Sequence, residues 1–98
     1  MSTLFIAVWD DASTVALGPV TEYQTITIGV GSTPGSAIQG VGNRHKRFRA
    51  WAEVDCFIAT GVDPTAASDG TSGLPLAAKS AEYFPIQVGQ KIAVIAKP

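Results

Sequence analysis

Residues 44–60, RHKRFRAWAEVDCFIAT, limit what this chain can fold into more than any other stretch of it. In steps of two, Phe48, Ala50, Ala52, Val54, Cys56 and Ile58 fall on one side, and Arg47, Arg49, Trp51, Glu53, Asp55 and Phe57 on the other. Side chains alternate across a strand, so this period predicts β-structure with one apolar face and one face of mixed charges and two aromatics. The run is longer than the ~3–10 residues of an ordinary strand. It therefore predicts two strands meeting near Ala52-Glu53, or a single strand bent by a bulge.

The rest of the chain has the same character. Residues 3–9 (TLFIAVW) form a short apolar run, and residues 13–17 a weaker one ended by Gly18-Pro19. Residues 23–30 (YQTITIGV) alternate, with Ile26, Ile28 and Val30 expected inward and Thr25 and Thr27 outward. Residues 31–43 are rich in Gly and Ser and predict a loop, with room for a short strand at residues 37–39. Residues 61–73 predict a second long loop, punctuated by Asp63-Pro64 and Asp69-Gly70. Pro85 lacks an N–H for a ladder, so residues 80–87 predict a strand that lies at an edge or starts after the proline. A tight turn at Gly89-Gln90 then leads into a buried strand over residues 91–97 (KIAVIAK). No amphipathic helix is apparent. Short strands with Gly/Pro punctuation predict an all-β fold, a small antiparallel β-sandwich or jelly-roll-like barrel, with residues 1–98 as one domain.

Composition narrows the function classes. A chain of 98 residues buries only about two-thirds of the surface its unfolded form exposes, so it gains stability from association. Its hydrophobic fraction is 46% against 15% charged residues, more apolar surface than one small core needs, which predicts contacts with copies or partners. A net charge of −1 argues against a protein whose main task is gripping nucleic acid. Cys56 stands alone, so no intrachain disulfide is expected, and its place on the apolar side reads as a small buried hydrophobe. No run approaches the ~18 apolar residues of a membrane span, and the first residues lack a basic leader, which predicts a soluble chain assembled in the cytoplasm.

The residues offer no catalytic constellation. His45 is the one candidate base, and Arg44, Lys46 and Arg47 around it would depress its pKa. One His and one Cys do not make a zinc site, and residues 63–70 lack the spaced acids of a calcium loop. The basic cluster of Arg44, Lys46, Arg47 and Arg49 could meet phosphates, with Trp51 or Phe57 stacking on bases. Glu53 and Asp55 continue the same face, however, and would repel a polyanion. Contact with an acidic protein surface accounts for both signs better, with Arg44 and Lys46 steering the encounter and Arg47, Arg49, Trp51 and Phe57 forming the contact face. Parity places Trp51 on the polar side but does not decide between interface and core, and Trp9 is equally open.

Residues 47–66, the Leu-Pro-Leu of residues 74–76 and residues 82–95 (EYFPIQVGQKIAVI) together resemble a group of short proteins encoded in tailed-phage and prophage structural modules. The resemblance covers a little over a third of the chain. It implies a non-enzymatic β-sandwich subunit of the virion, a capsid decoration, cement or head–tail accessory protein that contacts capsid or other virion proteins and its own copies, without a cofactor. A carbohydrate- or small-ligand-binding sandwich is the alternative, with Trp9, Trp51 and Tyr83 as stacking faces.

Overall fold

The computed structural model describes residues 2–10, 20–40, 45–67 and 73–98. Eight strands run through them: β1 (Ser2–Asp10), β2 (Val20–Ile28), β3 (Thr33–Pro34), β4 (His45–Ala52), β5 (Cys56–Gly61), β6 (Leu74–Leu76), β7 (Ala81–Gln87) and β8 (Lys91–Ala96). They pair antiparallel into two four-stranded sheets, β2-β1-β4-β7 and β3-β8-β5-β6, called here sheet A and sheet B. The fold is a small β-sandwich. Moving β1 to the end of the chain would renumber the two sheets as 1-8-3-6 and 2-7-4-5, the arrangement of an eight-stranded jelly roll. The start of β1 and the end of β8, which that permutation would join, lie at one corner: Glu53 N–H donates to the Thr3 carbonyl at 3.1 Å and Lys97 N–H to the Asp55 carbonyl at 3.1 Å.

The break near Ala52-Glu53 is real, and it carries the chain from one sheet to the other. β4 ends at Ala52, residues 53–55 turn, and β5 begins at Cys56 in sheet B. Phe48, Ala50, Ala52, Cys56 and Ile58 all face the core. Val54 does not; it sits at the turn and is partly exposed. Leu4, Ile6 and Val8 of β1, Ile26 and Ile28 of β2, Leu76 of β6, Ile86 of β7 and Ile92 and Val94 of β8 fill the space between the sheets. Val30, expected inward, lies past the end of β2 and is 98% exposed. The strand expected at residues 37–39 is replaced by β3 at Thr33–Pro34, although Ile38 still exchanges backbone hydrogen bonds with Gln90 and Gly89. Pro85 lies inside β7, and β7 is an edge strand, as the missing N–H requires. The weak strand expected at residues 13–17 lies outside the described residues.

The two outer faces differ. In β8 the run Ile92, Ala93, Val94 and Ile95 is buried throughout, because a second small cluster covers the sheet from outside. After β5 the chain folds back across sheet B, where Ala66 packs on Ala93 and Ile95 beside Phe57 and Ala59. Ala66 N–H is pinned by the Ser32 hydroxyl at 3.0 Å. A strand covered on both sides loses alternation and reads as a continuous apolar run, which is why residues 91–97 look buried from sequence. Among the described residues nothing covers Phe5, Tyr23 or Tyr83 on sheet A, and they stay exposed.

Candidate docking face

The outer face of sheet A is built by register. Cross-strand neighbours share a face, so Tyr23 of β2, Ala7 of β1, Arg49 of β4 and Tyr83 of β7 form one row across all four strands. The adjacent row is Thr25, Phe5, Trp51 and Ala81. Ala7 is the small member of its row, so a groove of about 360 Å³ opens above it, walled by Phe5, Tyr23, Thr25, Arg49 and Trp51. Phe5 and Trp51 tilt at 52° with ring centres 5.8 Å apart, which holds the groove's lower wall in place.

Arg47 and Arg49 are exposed on this face, and Trp51 is half-buried. Glu53 stands at the lower rim, where its carboxylate accepts the Thr3 N–H at 2.7 Å. That bond fixes the carboxylate at the rim, where it keeps its negative charge. Asp55 turns away from the face and accepts the Ala78 N–H at 2.8 Å. Aromatic rings around an arginine are the composition that dominates the energetics of protein interfaces. Phe5, Tyr23 and Tyr83 complete the face; sequence alone points only to Tyr83, as a stacking ring of the alternative reading, and not to Phe5 or Tyr23.

Lys46, expected to steer a partner to this face, and Phe57, expected on it, are elsewhere. Lys46 has the parity of Phe48 and faces inward at the top of the sandwich, with only 6% of its side chain exposed. Its ammonium reaches Asp10 at 3.3 Å and the Thr21 hydroxyl at 3.2 Å, aided by the β-bulge that displaces Thr21 from the β1–β2 register. An ammonium held there cannot steer a partner towards the outer face. Phe57 does point outward, but from sheet B, because the turn at residues 53–55 changes sheets; it packs under Ala66. Arg44 lies outside the described residues. Trp9, a candidate stacking ring, is wholly buried at the top of the same outer face, edge-on to Tyr83 at 5.9 Å. Its indole N–H has no hydrogen-bond partner among the described residues.

Cys56 is buried, and burial together with the neighbouring Asp55 carboxylate pushes its thiol up to about 11. Such a thiol is protonated and inert at neutral pH. Among the described residues no group of three or more His, Cys, Asp or Glu side chains comes together as a metal site would require. No family model, curated protein or solved structure matches this chain.

Proposed function

We propose that this chain is a non-enzymatic structural subunit of a tailed-phage or prophage virion, a capsid decoration, cement or head–tail accessory protein that works through protein contacts. The observation that carries the contact reading is the asymmetry of the sandwich: sheet B is closed by its own loop, whereas sheet A presents Phe5, Tyr23, Arg49, Trp51 and Tyr83 outward. The virion setting comes from the resemblance of residues 47–66, 74–76 and 82–95. Arg49 gives the face a positive group that suits an acidic surface on the partner, and the aromatic rings supply the desolvated anchors. The test is co-sedimentation of the purified protein with particles induced from the host that encodes it. Wild type should travel with the particles, and Arg49→Glu/Trp51→Ala should stay in the supernatant while remaining folded. A double variant that binds as well as wild type would remove sheet A from the contact.

The groove above Ala7 favours a second reading, a carbohydrate or small-ligand site. Its volume lies in the range of small-molecule pockets, and Phe5, Tyr23 and Trp51 offer ring surfaces around Arg49. Trp9 has no part in that site, since its ring is buried. Saturable quenching of Trp51 fluorescence by a sugar, abolished in Ala7→Leu, would favour this reading over protein docking.

A further inference from the structure

The four edges of the sandwich are not alike. β3 is two residues long and contains Pro34, β6 is three residues long and contains Pro75, and β7 is interrupted by Pro85. Short strands and prolines are the devices that keep an edge from pairing with another chain. β2 uses neither. It has nine residues, no proline and one charged side chain, Glu22. Its bulge at Thr21 affects only the upper end, and residues 22–28 below it are in unbroken register with β1. The strand is held from the inside: Gln24 exchanges hydrogen bonds with the Ser36 backbone, at 3.1 Å in both directions, and Glu22 accepts the Gln39 N–H at 3.0 Å. These bonds run from inward side chains to the facing layer. The backbone groups of residues 22–28 that point away from β1 have no partner among the described residues.

We infer that β2 is a pairing edge, and that its partner is β2 of a second copy, antiparallel about a twofold axis, joining two A sheets into one of eight strands. The register follows from the sheet itself. A twofold axis normal to the sheet keeps both cores on the same side, so inward residues must oppose inward residues and outward oppose outward. Of the registers that satisfy this, the one centred on Thr25 uses the whole regular stretch. It sets Thr25 against Thr25, Tyr23 against Thr27, Gln24 against Ile26 and Glu22 against Ile28. Threonine pairs suit directly opposed positions, and the single carboxylate never meets its own copy. The low net charge of −1 gives two copies little long-range repulsion to overcome. Tyr23, 75% exposed in one copy, would then line the seam, and the two aromatic outer faces would lie side by side.

The inference is separate from the virion reading, because it is tested on the purified chain alone. Light scattering should give twice the 10.2 kDa mass of one chain for wild type. Thr25→Glu and Thr25→Lys should each run as folded monomers, since each sets like charges against themselves on the axis. Mixed in equal amounts, the two variants should recover the dimer mass, and Thr25→Val should remain a dimer throughout. Wild-type protein that stays monomeric at millimolar concentration overturns the inference. So does a wild-type dimer that both charged variants leave intact, which would move the interface off β2. Failure of the charged pair to recombine, with both variants folded, would overturn the register centred on Thr25.

Discussion

The two tryptophans separate the buried part of sheet A's outer face from its exposed part, and their truncation should give very different stabilities. Trp9 is fully buried and packed edge-on to Tyr83. Trp9→Ala removes the largest buried side chain of the chain and should cost about 3–5 kcal/mol, the range for large aromatic deletions in cores. In a domain of this size each kcal/mol shifts Tm by roughly 4–8 °C, so the loss should be roughly 15–30 °C. Trp51 is only half-buried and keeps Phe5 as its main ring contact, so Trp51→Ala should cost no more than about 1.5 kcal/mol. Trp9→Phe adds a finer test. It deletes an indole N–H that has no partner among the described residues, and leaving such a group buried costs about 1–3 kcal/mol. That relief should offset much of the lost packing, keeping Trp9→Phe within about 2 kcal/mol of wild type. The assay is urea unfolding followed by far-ultraviolet circular dichroism, with the slope m checked for constancy. Equal losses for Trp9→Ala and Trp51→Ala would refute the reasoning, because Trp51 would then belong to the interior.

Gly73 has φ +120°, and a Cβ built there runs into the Ile58 carbonyl, so Gly73→Ala should lower stability by about 1–3 kcal/mol in the same unfolding assay. Because the folded Cys56 thiol lies at about 11, above its ordinary 9.0, the unfolded chain loses that proton first as pH rises. Stability should therefore be intact below pH 9 on this account and fall between 9 and about 11, a decline that Cys56→Ala abolishes in melts across that window. At neutral pH the thiol should react with a disulfide reagent only as fast as the protein opens. Lys46→Met should change stability by less than about 1 kcal/mol, since an apolar chain of similar length replaces a buried ammonium whose partner Asp10 is half in water; Lys46→Glu should lose about 3 kcal/mol or more.

The sequence showed local features of this fold and hid the long-range ones. Parity within β4 and β5 was legible, because alternation belongs to each strand separately, and so was the break at residues 53–55. Pro85 marked an edge strand by its chemistry alone. What parity cannot reveal is which sheet a strand joins. Phe57 follows the same alternation as Trp51, yet three turn residues send it to the opposite face of the molecule. Lys46 departs from expectation for a different reason: its even position sets it on the inward side with Phe48 and Ala50, and parity prevails over charge. The row from Tyr23 to Tyr83 needs four strands distant in sequence to lie side by side, and no local pattern encodes that order. Cover on sheet B depends likewise on a loop folding back, which composition suggests only as a turn.

The central claim is that contacts with other proteins run through sheet A's outer face. A photo-crosslinking residue placed at Tyr83, exposed on that face, and separately at Val62, exposed beside the closed sheet B, tests it most directly. After irradiation of particles bound by each variant, Tyr83 should yield an adduct with a protein other than this chain and Val62 should yield none. Adducts from Val62 alone, or equal yields from both positions, would contradict the account.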